Sequence, residues 1–372
     1  MSLLGDIVDR VLFPNRELHG IPVLDGAFSP NQRLDGARRL GAEIERPDDI
    51  AFGQDGALYV STGNSILRCT GDDFDKRAVF ATLEGPVGGL ASTPDGRLLA
   101  CVSGVGLVAL SPVGKIVAKL ESVGGERIAC ALSVTVAPDG AIYLTDGSRT
   151  NQADLWLTDL MQNRGPSGRL IACDASLGGA SVRADKLAWP LGVIASSDGN
   201  EVWVTESWAH RLTAFPRAGG ERRVIVKNYT GYPARLGRGA HGEVWMAFLA
   251  LRTQLTEFVL RERAFCEEMM RTVPSELWIG PVLDGRLNPR EPTQIGRIKK
   301  LGIQKPWAPP RSYGLVARLD AKGMAVETLH SRVDGRVHGI TAVRPIGARV
   351  LAVSKGRDCL VELPRGRGAQ GG

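Results

Sequence analysis

The sequence predicts an all-β protein, a six-bladed β-propeller with a helical and basic insertion in the fifth blade. Three observations carry this. A strand–turn–strand unit recurs six times, its turn glycines are spaced like propeller blades over most of the chain, and further short strands follow nearly every unit.

The unit ALSVTVAPDGAIYLTD (131–146) shows the local logic. Val134 and Val136 alternate with Thr135 at period two, Pro138-Asp139-Gly140 supplies the turn, and Ile142-Tyr143-Leu144 resumes a β-rich run. The pattern returns at 48–62, 88–102, 191–206 and 234–248, and in a weaker copy at 340–354. The turn glycines are Gly56, Gly96, Gly140, Gly199, Gly242 and Gly347, giving intervals of 40, 44, 59, 43 and 105 residues. A blade needs roughly 40–45 residues, so the last interval predicts an insertion of about 60 in blade 5. The runs SILRCT (65–70), GLVALSP (106–112), GRLIACD (168–174), HRLTAFP (210–216), YGLVARLD (313–320) and CLVELP (359–364) continue the units toward four strands each. Such a ring sets the start of each unit's first strand beside a central channel, where one pocket forms.

The chain has 372 residues, and the repeat runs over 46–364 without a linker, so one propeller domain is expected. Residues 1–45 are expected to pack on the ring, and 365–372 to form a disordered tail. The net charge of +6 is scattered, with no long basic run and little aromatic interleaving, which speaks against nucleic acid as a partner. The six cysteines show no CxxC spacing and four sit in apolar strand runs, so zinc is not expected and the thiols read as small hydrophobes. The stretch MSLLGDIVDRVLFP carries Asp6 and Asp9 and lacks a basic leader, so the expected location is the cytoplasm. Oligomeric state is not legible.

Between Leu249 and Val273 the period changes to that of one helix, with Leu251, Leu255, Phe258, Val259, Phe265, Cys266, Met269 and Met270 on its apolar face and Arg252 and Glu257 among the residues off it. The segment 284–311 follows as a basic, proline-rich excursion. Three readings of the insertion 249–312 stand: a lid over the channel mouth, a helix packed on the ring with a solvated loop, or a peripheral membrane contact helped by Trp278 and Trp307. The lid reading leads.

Several motifs together resemble those of the strictosidine synthase-like, gluconolactonase-type six-bladed propellers, the adipocyte plasma membrane-associated protein-like group. They are GRLIACD, the Thr205-Glu206-Ser207…Arg211 element, the turn Gly231-Tyr232-Pro233 and the late YGLV strand. The resemblance implies an axial pocket. In lactonase branches of that family it also implies a calcium ion held by a first-blade carboxylate and by Asn or Asp at later blade starts, an all-oxygen shell suited to a hard cation. Asp48 matches the carboxylate, with Asp49 beside it. The other positions depart: Ala131-Leu132-Ser133, Pro190-Leu191-Gly192 and Ala234-Arg235 stand where the relatives carry ligands, and Thr341 stands where the condensing branch carries a glutamate. No cofactor is therefore expected. Calcium is the alternative only where backbone carbonyls build a site.

By blade-start position, the expected catalytic residues are Asp48 and His338 as general base and Arg235 as carbonyl-polarising cation, with an Asp48–Arg235 ion pair in place of the metal as the structural alternative. The expected substrate-binding residues are Asp49, Leu132, Ser133, Trp189, Leu191, Tyr232 and Thr341. The expected function is that of a metal-independent strictosidine synthase-like enzyme, either hydrolase-type (ester or lactone) or carrying out a condensation, on a small organic molecule. The alternatives are a non-catalytic small-molecule-binding propeller and a protein-interaction scaffold.

Overall fold

The computed structural model describes residues 20–239, 242–284, 299–300, 303–305 and 307–364. The expected tail, the first part of the N-terminal segment and most of the basic excursion lie outside them. Among the described residues, strands form six four-stranded antiparallel sheets, each one blade. The innermost strands, in blade order, are Pro47–Phe52, Val87–Ser92, Ala131–Val136, Pro190–Ala195, Gly231–Arg238 and Ile340–Ile346. The predicted hairpins and third strands all appear in this order.

The last blade is closed by both ends of the propeller. Arg38–Leu40 pairs antiparallel with Cys359–Glu362, with Leu40 opposite Leu360 and Arg38 2.7 Å from the Glu362 carboxylate. The N-terminal segment thus contributes the outer strand of blade 6. Beneath this closure, Ile50, Leu58 and Val60 of blade 1 bury against Ala342, Leu351 and Val353 of blade 6, sealing the ring with apolar surface. All six cysteines are free and buried.

Two departures from the sequence pattern concern the upper face of the ring, where the inner strands begin. The wide interval between Gly140 and Gly199 holds a helix, α1 (Trp156–Gln162), in the connection between the second and third strands of blade 3. The helix expected from Leu249 is two helices, because the second strand of blade 5 runs on to Leu251, opposite Gly231. Thr253 then caps α2 (Gln254–Arg261) by accepting from the Thr256 N–H. The chain breaks at Glu262 before α3 (Arg263–Thr272).

Val259, Cys266 and Met269 of the expected apolar face are buried, but four positions in and around these helices depart from the pattern. Phe258 and Phe265 are exposed, whereas Glu257 and Arg252 are buried. Glu257 accepts from Arg252 Nε at 3.0 Å and from the Tyr232 hydroxyl at 3.1 Å, and these bonds offset the cost of burying its charge.

After α3 the insertion crosses the upper face. Gly280 lies so close to Leu157 and Met161 of α1 that a β-carbon would fall 2.6 Å from the Met161 methyl. Beyond it, the Leu283 carbonyl abuts Gly356 of blade 6, where any side chain would collide with it.

The inner strands approach each other with the same closeness. A β-carbon on Gly192 would fall 2.5 Å from the Ala234 carbonyl oxygen and 2.9 Å from the Arg235 Cα. Gly192→Ala is expected to destabilise the fold by about 1–3 kcal/mol, as overpacking does; urea unfolding checks this, and unchanged stability would mean the blades part without cost.

Candidate functional site at the propeller axis

Every inner strand loses regular register near its start. Pairing with the second strand jumps between Pro47 and Ile50, Val87 and Leu90, Ala131 and Ser133, Pro190 and Gly192, Gly231 and Leu236, and Ile340 and Ala342. The residues inside those jumps include Asp48, Asp49, Gly88, Leu132, Leu191, Tyr232, Arg235 and Thr341. A bulge frees a residue from the ladder and re-aims its side chain, so the irregular starts of the six strands release these positions from regular pairing around the axis.

At the centre stands Arg235, 2% exposed. Its Nη2 donates to Asp48 Oδ2 at 2.6 Å and to the Leu132 carbonyl at 2.8 Å, and its Nη1 to the Asp48 carbonyl at 3.1 Å. Blades 1, 3 and 5 are thereby joined through one guanidinium. Asp48 also receives Lys355 Nζ at 2.6 Å on Oδ1. Behind this pair, fully buried Asp49 lies 3.6 Å from Arg235 Nε and accepts from Arg344 Nη2 at 2.8 Å and the Leu90 N–H at 3.0 Å, adding blades 6 and 2. Gly88 leaves the space: a β-carbon there would fall 3.2 Å from Arg235 Nη2.

Burial by itself pushes the Asp48 carboxyl up, but the charges of Arg235 and Lys355 and their hydrogen bonds outweigh it and hold it well below the usual carboxylate range. Burial likewise pulls the Arg235 guanidinium down while Asp48 and Asp49 raise it further. Both groups are therefore ionised.

Above the hub lies a cavity of about 310 Å³. Asp48, Arg235, Leu132, Trp189, Leu191 and Thr341 line it as the sequence predicted. Trp189 stacks on Trp208 at 5.3 Å, and Trp156 of α1 extends this aromatic wall. Trp189 and the cavity-lining Arg46 both hold a left-handed backbone, with φ of 53° and 44°, although each precedes a proline. Such strain persists where surroundings enforce it, as at binding sites.

Four predicted residues are not brought to this cavity. Asp49 lies behind it. Ser133 is buried with an unpartnered hydroxyl among the described residues. Tyr232 turns to Glu257.

His338, predicted as a base, is fully buried outside the cavity, its Nε2 donating to the Arg332 carbonyl at 2.8 Å and its Nδ1 accepting from the Ser312 hydroxyl at 2.7 Å. Both ring nitrogens are committed, so it has no lone pair to offer a substrate. His338 precedes the strand Ile340–Ile346 and is held by these two bonds rather than aimed by a strand, whereas at Asp49 and Ser133, inside or beside a bulge, the alternation of side chains between channel and interior is shifted. Residues distant in sequence fill the gap, namely Lys355, Trp156, Asp154, Leu249 and Leu283. Of these, Lys355 carried a readable signal, a cation just after a second strand that ends at the axis.

The donor set does not fit a calcium ion. Leu132, Leu191 and Ala234 offer no side-chain oxygen, the Leu132 carbonyl is taken by Arg235, and the Asp48 carboxylate already faces two cations. A divalent ion would sit against a guanidinium and an ammonium, which low dielectric makes costly. Among the described residues no group of three or more His, Cys, Asp or Glu could hold a metal.

Arg235→Met is expected to cost about 3–5 kcal/mol by leaving two carboxylates buried without their shared partner; denaturant unfolding reads this, and a loss below 1 kcal/mol would remove the hub's structural role. A pH effect follows from two histidines. Burial pulls His338 and His330 from 6.5 down to about 4. Both are neutral when folded, so their contribution is complete above pH 6.5 and is lost as pH falls toward 4, at up to about 1.4 kcal/mol per pH unit each. Unfolding between pH 7 and 4 measures the slope, and His338→Gln is expected to flatten it.

Comparison with known proteins agrees with this architecture. The strictosidine synthase-like N-terminal family matches residues 26–64, and the strictosidine synthase family matches 133–215. The adipocyte plasma membrane-associated protein of Salmo salar is 27% identical over 256 residues, covering 62% of this chain and 60% of that protein. The strictosidine synthase-like 6 protein of Arabidopsis thaliana is 27% identical over 225 residues, covering 58% and 60%. The chain thus spans about 60% of the length of these relatives. A gluconolactonase structure from Xanthomonas campestris superposes with a TM-score of 0.57 at 16% identity, over 89% of this chain and 91% of that one, which speaks for the fold alone. Six blades, two matching family segments and these relatives support assigning the chain to the strictosidine synthase-like, gluconolactonase-type six-bladed propellers.

Proposed function

We propose that the axial cavity takes a small, partly apolar organic molecule and directs its carbonyl or carboxylate group at Lys355 and Thr341, without a metal. The observation that carries this is the floor of the cavity. There a lysine ammonium, 24% exposed and fixed by Asp48, stands with the Thr341 hydroxyl, which is buried and unpartnered among the described residues. Both face a wall of Trp156, Trp189, Leu132 and Leu191. A few convergent polar groups in an apolar cavity are the usual composition of a small-molecule site. The insertion serves as its cover, since Leu283 lines the cavity.

The matching reaction class is metal-independent attack on a carbonyl, either ester or lactone hydrolysis or a condensation. In that chemistry Lys355 stabilises charge developing on the carbonyl oxygen, as a hydrogen-bond donor does in a dry site. A second reading, binding without turnover, is favoured by Asp48: a carboxylate held so far on the ionised side is a weak general base.

Quenching of the tryptophan wall during titration with aryl esters, lactones and aryl carboxylates, in chelator, tests both readings. Saturable binding that Leu191→Arg weakens at least about tenfold is expected. If turnover accompanies it, Lys355→Met should lower kcat/KM about 100-fold, the cost of one oxyanion donor. Binding with no turnover would establish the second reading, and absence of binding to all three classes would overturn both.

A further inference from the structure

At the opposite end of the axis, where the inner strands finish, lies a second cavity of about 370 Å³. Two guanidiniums line it, Arg238 of blade 5 and Arg344 of blade 6, and no carboxylate does. Arg344 donates from Nη2 to Asp49, above the cavity, and from Nη1 to the carbonyls of Leu236 and, at 3.4 Å, Val343, which leaves two of its five N–H groups uncommitted.

Arg238 has no such partner. It is half-buried, donates only to the carbonyls of Ala195 at 2.7 and 3.1 Å and Gly242 at 3.4 Å, and lies over the face of Trp203. Among the described residues no carboxylate comes within 4 Å of it. Asp198 and Glu243 act on it only at longer range, and Asp198 is already bonded to the Ser196 hydroxyl and to Asn200. Burial accordingly pulls its pKa below the usual arginine value. A guanidinium removed from water without a counterion is a standing electrostatic cost that a bound anion would relieve.

The hydroxyls of the cavity divide into two sets. Ser92 and Ser196 already donate, to the Phe52 carbonyl and to Asp198. Thr135 and Ser197 make no side-chain hydrogen bond among the described residues and keep their O–H groups. Each guanidinium also carries five N–H donors in a fixed fork, more than the bonds above consume.

We propose that this lower cavity is a binding site for a small tetrahedral oxyanion, held by Arg238 and Arg344 with the hydroxyls of Thr135 and Ser197. The donors come from blades 3, 4, 5 and 6, a convergence that suits a tetrahedral ligand better than a planar one. The site is spatially distinct from the upper cavity and shares no lining residue with it, although Arg344 also bonds to Asp49 of the hub.

Inorganic phosphate and sulfate are the probes. The full chain is titrated at constant ionic strength against chloride, with calorimetry and melting temperature as readouts. The expected result is one saturable site whose Tm rises with phosphate but not with matched chloride. Arg238→Gln is expected to weaken it at least about tenfold, the loss of a charge-assisted hydrogen bond, while Lys355→Met leaves it unchanged. Should Arg238→Gln fail to fold, Thr135→Val, which conserves shape and removes one donor, is expected to weaken phosphate severalfold. Absence of an anion-specific shift, a shift unaffected by either lower-cavity variant, or one abolished by Lys355→Met would overturn the proposal. Acetate binding equal to phosphate would overturn its tetrahedral part.

Discussion

The molecule depends on one charge arrangement, the guanidinium of Arg235 shared between Asp48, Asp49 and the Leu132 carbonyl. Packing between blades is apolar and non-directional, and it fixes neither the exact radius of the ring nor which side chains reach the axis. The hub supplies direction. Through Arg235, Lys355, Arg344 and the Leu90 N–H it joins five of the six blades, and the Thr205 hydroxyl joins the sixth by donating to the Ala234 carbonyl at 2.9 Å. Burying these ions is costly, so their attraction only offsets desolvation because nearly every lone pair and N–H is matched.

The hub also decides what chemistry the upper cavity supports. In a low-dielectric space the sign of each group matters more than its distance. Asp48 faces two cations and stays ionised, so a metal is repelled and a basic role is weakened. In the function we propose, the ammonium of Lys355, held in place yet partly exposed, is the electrophilic group.

The insertion reaches the cavity through Leu283. Its helices are tied down by the buried Arg252–Glu257–Tyr232 cluster, and its descent from Gly280 to Leu283 fits only because glycines line the path at 280, 339 and 356. These glycines accept close backbone approach that any β-carbon would forbid. The helices bury Val259, Leu260, Cys266 and Met269 in the core and leave Phe258 and Phe265 exposed.

The sequence by itself determined the ring. Period-two alternation, turn glycines and blade-length spacing are local, repeated six times, and each repeat constrains the same architecture, so the blades and their order were legible. It also placed Asp48 and Arg235 at blade starts that converge on the axis, with their ion pair as one of two readings, and the structure shows that pair. Only the tertiary structure decided which neighbours join them. Bulges at all six strand starts shift the alternation, so that Asp49 and Ser133 fall behind the cavity, and His338, which precedes its strand, is held in the interior by Ser312 and the Arg332 carbonyl. Lys355, Trp156 and Leu283 arrive from a turn, a helix and an insertion whose positions no local pattern encodes. The lower cavity was equally invisible, because the isolation of Arg238 is a property of what does not lie near it, and that is settled only when the chain has closed.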